Sequence, residues 1–294
     1  MPQKERKPRH RKTFEELTIT DDFMFGAVFS DPDRCKRLLE EILNIKIARI
    51  EYPERQKVMD FSYDSKSIRL DIYVEDEKHT VYNIEIQTTS DGHIALRIRY
   101  YHDMIDLNII DKGEDYSHLK KSFVIFICTF DPFGRDRYIY TFNRQCKEEP
   151  DIFLNDDATT IVLNCTGHKG DISDDLKNLL HYMAGQEPQG EFAKDIAKSV
   201  DEVHKNEKWR RDYMTLNLKL MEVEQEARQE GRQEGELIKI ISAVRNSKGK
   251  ISDEILCSVL NIDNSLLDSV SELIDSNPDW TDEDIAEDIL GYTE

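Results

Sequence analysis

The chain has little cysteine, no metal-knuckle spacing and no long apolar run, and each absence closes off a class of protein. Its 294 residues include five cysteines, Cys35, Cys128, Cys146, Cys165 and Cys257, scattered, odd in number and without a CxxC pair. That argues against a disulfide scaffold or a cysteine-built zinc site, and for reduced thiols in a cytoplasm. The eight histidines form no HExxH and no other ligand spacing. No apolar stretch approaches the roughly 18 residues a membrane span needs, and no charged-then-apolar leader opens the chain. The expectation is a cytoplasmic protein with no membrane partner. Positive charge is also scarce, with Lys+Arg 40 against Asp+Glu 60 and a net charge of −20, which counts against extensive nucleic-acid contact. What is present is a hydrophobic fraction of 38%, enough for a real core.

The charge is uneven. Residues 1–12 hold six basic side chains (Lys4, Arg6, Lys7, Arg9, Arg11, Lys12) and one Glu, so this arm is +5 and the rest of the chain −25. Two readings stay open for it: a disordered solubilising tail over 1–13, or a nonspecific phosphate contact.

Beyond the arm, helical spacing is expected near Phe23-Met24-Phe25 and over 33–43, stopped by Asn44. Strands are expected over 57–61, 67–74 (SIRLDIYV), 80–87 (TVYNIEIQ), 123–128 (FVIFIC), 138–142 and 160–163, with helices over 93–109, 171–184 and from 191 onward. The continuous apolar run 123–128 predicts a strand buried on both faces. Residues 201–245 read as one long charged helix containing Arg-Gln-Glu-Gly twice. Gly231 and Gly235 cost it about 1 kcal/mol each, and its apolar stripe is sparse for a coiled coil, though it offers a homo-oligomer contact. Residues 246–294 read as a small acidic helical tail, with Ser252 and Thr281 as caps.

The hairpin formed by 67–74 and 80–87 carries the chemistry. Even positions (Ile68, Leu70, Ile72, Val74; Tyr82, Ile84, Ile86) are apolar or aromatic, and odd ones (Arg69, Asp71, Tyr73; Asn83, Glu85, Gln87) are polar or amphipathic. Successive side chains alternate faces, so each strand is expected to have a core face and a polar face. A loop centred on Lys78 sets Asp71 opposite Glu85, about 5 Å apart at Cβ, with Gln87 next along. Two facing carboxylates repel, and a divalent cation such as Mg²⁺ or Mn²⁺ between them removes that cost. A plain amphipathic hairpin with a solvated polar face accounts for the same spacing.

Asp71 followed by Glu85-Ile86-Gln87 at the end of the next strand resembles a variant PD-(D/E)xK nuclease signature. More narrowly, the chain resembles the recombination-promoting nuclease/putative transposase (Rpn) family. The ordered set is Asp22-Phe23-Met24-Phe25, Arg69-Leu70-Asp71-Ile72, Tyr82-Asn83-Ile84-Glu85-Ile86-Gln87, Arg97-Ile98-Arg99-Tyr100-Tyr101, Phe126-Ile127-Cys128 before Asp131-Pro132-Phe133-Gly134, and the charged Glu/Gly helix. The resemblance implies an α/β restriction-endonuclease-like core over 14–200, with a mixed central sheet flanked by helices and an all-helical C-terminal extension.

It further implies metal-dependent cleavage of DNA phosphodiesters, engaged mainly through phosphates. Asp71 and Glu85 would be Mg²⁺ (or Mn²⁺) ligands and Gln87 would stand in the place of the motif lysine. Two departures are visible: Leu70 replaces the motif proline, and Gln87 brings hydrogen bonds but no charge where lysine brings both. Supporting candidates are Arg97 and Tyr101, one helical turn apart, with Arg69 on the odd face. Glu40 or Glu41 is the candidate helical acid, against a solvated helix face. His93 and His102 read as structural or exposed rather than as general bases. The competing functional reading keeps the fold as a protein-interaction module with weak or no catalysis, and RNA is an alternative substrate.

Overall fold

The computed structural model describes residues 11–52, 58–59, 68–69, 72–90, 92–110 and 113–291. The chain divides into two compact units, Met1–Tyr213 and Met214–Glu294.

In the first unit, helices α1 (Asp22–Phe29) and α2 (Pro32–Leu43) precede the sheet. α2 begins where Asp31 accepts from the Asp33 and Arg34 amides at 3.0 Å, with Pro32 in the first turn, and ends where Asn44 turns left-handed at φ 51°. The six described strands of the main sheet are β1 (Ile50–Glu51), β4 (Ile72–Asp76), β5 (Val81–Gln87), β6 (Ser122–Cys128), β8 (Ala158–Asn164) and β7 (Ile139–Phe142), in that spatial order. β5–β6 and β6–β8 are parallel and the remaining pairs antiparallel. A separate two-stranded ladder joins β2 (Val58–Met59) to β3 (Ile68–Arg69). The expected strand over 67–74 is thus divided, with β3 and β4 in different sheets, and the expected strand over 57–61 is described only at Val58–Met59.

The β4–β5 register pairs Ile72 with Ile84, Tyr73 with Asn83, Val74 with Tyr82 and Glu75 with Val81. This is a hairpin centred on Lys78, as the spacing predicts. Its loop is built around Asp76, whose carboxylate accepts from the Lys78 amide (2.8 Å), the Thr80 amide (2.9 Å) and the Tyr82 hydroxyl (2.7 Å). Burial alone would raise the Asp76 pKa, but these hydrogen bonds outweigh it and hold it below the usual carboxylate value.

Alternation divides the strands between two cores. Ile72, Val74, Tyr82, Ile84, Ile86, Ile125, Ile127, Ile161 and Leu163 point to one face, packed against α1, α2, α4 (Asp174–Met183) and α5 (Gly190–His204). Val81, Val124, Phe126, Cys128 and Val162 point to the other, under α3 (Ile94–Ile109) through Tyr101, Met104 and Ile105. β6 is buried on both faces, which is why it reads as an unbroken apolar run.

α6 (Glu207–Ser247) follows α5, which ends at His204. Gly231 and Gly235 lie inside α6 with open space around each Cβ position, so neither glycine is required by a neighbour. In the second unit, α6 together with α7 (Asp253–Leu260), α8 (Asn264–Ser276) and α9 (Asp282–Leu290) encloses a core of Leu237, Ile241, Val244, Leu256, Leu267, Val270, Ile274 and Ile285. Thr281 caps α9 through a reciprocal pair with Asp284, while Ser252 precedes α7 without a side-chain cap. Among the described residues, no helix is long and apolar enough to cross a membrane.

Candidate active site

The odd face of β5 departs from expectation. All seven residues of the strand are buried, so the polar side chains Asn83, Glu85 and Gln87 are enclosed rather than solvated. The reason is α3. The hairpin alone would leave that face to water, but parallel pairing with β6 brings the helix over it. A charged carboxylate at 3% exposure is costly unless compensated, which argues against the plain amphipathic hairpin.

The compensation comes from α3. The Tyr101 hydroxyl donates to Glu85 Oε2 at 3.3 Å, and Arg97 Nη2 lies 4.0 Å from the same oxygen. Arg97 Nη1 donates to the side-chain oxygen of Gln87, and its Nη2 donates to the Tyr101 hydroxyl at 3.2 Å. Gln87 Nε2 donates in turn to the Thr89 carbonyl at 2.5 Å, which fixes which end of the amide faces Arg97. The guanidinium lies over the Phe126 ring at 5.4 Å, and Phe126 stacks on Tyr101 with centroids 5.7 Å apart. Its charge reaches the sheet: burial pushes the Cys128 thiol up to about 12, while Arg97 pulls the other way.

The structure therefore brings Glu85, Gln87, Arg97 and Tyr101 together. Asp71 lies outside the described residues, as does the Arg69 side chain; the described ladder ends at Ile72↔Ile84, one pair before position 71. Glu40 is elsewhere. It sits on α2, whose apolar face packs on the opposite side of the sheet, and its carboxylate accepts from the Ile47 amide at 2.9 Å with Lys46 at 3.8 Å. Glu41 accepts from the Ser173 hydroxyl. His93 is exposed, and His102 is buried between Thr160 (3.0 Å) and Ser122 (3.4 Å). Residues 1–10 of the basic arm lie outside the described residues, and Lys12 is paired with Asp21 at 2.7 Å.

Sequence spacing did not single out Phe126 or Thr89. Phe126 stands opposite Glu85 only because β6 joins in parallel about forty residues later in the chain, and no local pattern reports such pairing. Asn83 also gains weight: both atoms of its amide are buried with no hydrogen-bond partner among the described residues.

Among the described residues, no three His, Cys, Asp or Glu side chains gather to hold an ion. The donors that are described nonetheless suit a hard cation, because the Glu85 carboxylate offers oxygen and the adjoining Asn83 amide is buried and uncompensated.

A mixed sheet with helices on both faces, and an acid and an amide at the end of a hairpin strand beneath a helix carrying arginine, defines a nuclease-like α/β domain. The chain belongs to the PD-(D/E)XK nuclease family transposases, whose family model matches residues 19–175. No curated protein and no solved structure matches it.

Proposed function

We propose that the protein is a cytoplasmic, metal-dependent DNA endonuclease of the recombination-promoting, transposase-like kind, hydrolysing phosphodiester bonds. The observation that carries this reading is the buried Glu85 carboxylate set beside a Gln87–Arg97–Tyr101 hydrogen-bond network in a chain of this family. Asp71 and Glu85 would hold Mg²⁺ or Mn²⁺, which when bound polarises a phosphate and lowers the pKa of a coordinated water.

The chain's own residues do the rest. Gln87, held at both ends of its amide by Arg97 and Thr89, has a fixed orientation from which to position a water. Arg97, a third exposed, offers a guanidinium to a phosphate oxygen or to the charge that develops there. Tyr101 holds both Arg97 and Glu85 in place. DNA would be engaged through its phosphates, with the arm of residues 1–13 adding salt-sensitive affinity.

The same reading takes 14–200 as the nuclease domain, 201–245 as the charged helix and 246–294 as an acidic tail. The helix would also bring copies of the chain together, because Met214, Leu218, Leu220, Met221 and Val223 of α6 are exposed. Those apolar side chains equally favour the second reading, a nuclease-fold interaction module of little catalysis.

The deciding experiment is nicking of supercoiled plasmid at low salt with Mg²⁺, Mn²⁺ or EDTA, beside a Glu85→Ala variant prepared identically. Metal-dependent cutting that disappears in the variant is expected. No cutting under any metal would leave the interaction module as the better reading.

A further inference from the structure

The edge strand β7 carries a cluster of rings that the nuclease reading leaves unused. Phe133 packs against Tyr140 with centroids 4.8 Å apart and against Phe142 at 5.1 Å. Phe133 and Phe142 are 36% and 45% exposed, large values for rings already touching one another. The cluster is held rigidly. Asp131 accepts from the Tyr140 hydroxyl (2.9 Å) and from the Phe133 (3.1 Å) and Asp136 (2.7 Å) amides, and the Arg137 amide donates to the Tyr140 hydroxyl at 3.2 Å. The turn that presents Phe133 is thereby tied to the strand that presents the other two rings.

Strand register relates this cluster to the candidate site. Glu85 is paired with Phe126, Phe126 with Val162 and Val162 with Tyr140, while Asn83 leads in the same way through Val124 and Thr160 to Phe142. The rings thus share the α3 face of the sheet with Glu85, three strands away. At the usual strand spacing that is about 14 Å, or about four nucleotides at duplex rise. α3 covers the middle of both rows through Val124, Phe126 and Val162; Tyr140 is half-buried against that core, while Phe133 and Phe142 are exposed at the edge.

The surroundings are basic in a chain that is otherwise acidic. Residues 131–147 contain Arg135, Arg137, Arg144 and Lys147 against Asp131 and Asp136, a net +2 within a chain of −20. Asp136 is itself held by His168 (2.9 Å) and Lys169 (3.8 Å), and Arg144 by Asp156. Arg135, Arg137 and Lys147 are exposed and make no ion pair among the described residues. The acidic residues Glu148, Glu149 and Asp151 lie at the tip of an extension closed by Cys146 N–Ile152 O and Leu154 N–Arg144 O bonds of 2.9 Å, beyond the rings.

We propose that Phe133, Tyr140 and Phe142 form a stacking platform for the unpaired bases of single-stranded DNA, with Arg135 and Arg137 contacting its phosphates. The proposal rests on DNA being the substrate and adds that the substrate is unpaired beside the cut. A duplex keeps its base faces stacked inside and offers these rings nothing, whereas every unpaired base has a face for an aromatic side chain. Guanidinium groups beside the rings supply the backbone charge contact that such grooves combine with stacking.

The test is fluorescence anisotropy of the full chain in EDTA, where binding is read without cleavage. The probes are labelled oligothymidylate, a mixed-sequence duplex and oligouridylate of equal length. Oligothymidylate is expected to bind more tightly than the other two. A Phe133→Ala/Phe142→Ala variant that unfolds at the wild-type temperature should lose about tenfold or more on oligothymidylate and nothing on the duplex. Phe142→Leu, which keeps apolar bulk without a flat ring, should weaken it in the same direction. Equal binding of all probes, tighter binding of oligouridylate, or unchanged affinity in these variants would overturn the platform. So would a change in self-association of the double variant with DNA binding intact, which would make the patch a protein contact. Because no cutting is measured, an inactive plasmid assay would leave this result standing on its own.

Discussion

Arg97 donates a hydrogen bond to the side-chain oxygen of Gln87 and sits 4.0 Å from the carboxylate of Glu85. A residue on the helix thus delivers a guanidinium to the place where the strand residue brings none. The resemblance implies that Gln87 would stand in the place of the motif lysine; on the proposed function, the charge that such a lysine would bring is offered instead by a helix packed over the strand.

This relocation has a direct consequence. Arg97→Gln should lower single-turnover plasmid cleavage by about a hundredfold, the typical loss for one electrostatic stabiliser of a developing charge. Gln87→Lys in that background should recover part of the activity by restoring a cation at the strand. A double variant no better than Arg97→Gln would show that Arg97 acts only by holding Gln87.

Glu85→Gln keeps the shape of the side chain and removes its charge. Cleavage should fall below detection while the unfolding temperature stays within a few degrees, because the Tyr101 hydroxyl retains an acceptor. Titration calorimetry with Mn²⁺ should lose its binding signal in both Glu85→Gln and Asp71→Asn. Undiminished Mn²⁺ binding in either variant would remove that residue from the ligand set.

Asn83 tests whether this face is kept polar at a cost. Its amide is fully buried, and neither atom finds a hydrogen-bond partner among the described residues. Replacing such a group with an apolar one of similar shape relieves an unsatisfied desolvation penalty of roughly 1–3 kcal/mol. Asn83→Leu should therefore raise stability by about 1 kcal/mol in urea unfolding, with plasmid cleavage reduced. A loss of stability would mean that the amide is satisfied, for example by ordered water.

Much of this architecture could be read from local pattern. The 3–4 spacing of α2 and the unbroken apolar run of β6 each report the surface they bury, while the even–odd alternation of β5 reports only one of its two buried faces. The observed register has the loop centre on Lys78 that the sequence reading assumes; alternation alone fixes which side chains share a face and leaves the register to be assumed. What stayed hidden were consequences of distant pairing. Nothing near Glu85 in sequence indicates that α3 buries its face, or that Phe126 lies beneath Arg97. Neither reading offered for Glu40, a site acid or a solvated helix face, reported its contact: it accepts from the Ile47 amide on the other side of the sheet. The division of 67–74 between two sheets was equally invisible, since both parts alternate alike.

The last prediction concerns pH. His102 is enclosed by α3, Thr160 and Ser122, and burial lowers its pKa from the ordinary histidine value. The Arg144 charge pushes the same way, and Asp103 and Asp156 oppose it. The unfolded chain therefore binds this proton at a higher pH than the folded chain does. As pH falls through about 6.5, the ordinary histidine value, the unfolded state gains a proton the folded state refuses, so stability decreases. His181, whose pKa is also lowered by burial, adds to the same slope. The lowered carboxylates Glu75 and Asp76 act in a separate, more acidic window, where protonation removes the hydrogen bonds and ion pairs that favour their charged forms. Unfolding temperatures measured between about pH 7.5 and 5.5 should decline in the wild type and decline less steeply in His102→Asn, which retains hydrogen-bonding groups toward Thr160 and Ser122. Parallel slopes in the two proteins would assign the decline to groups other than His102.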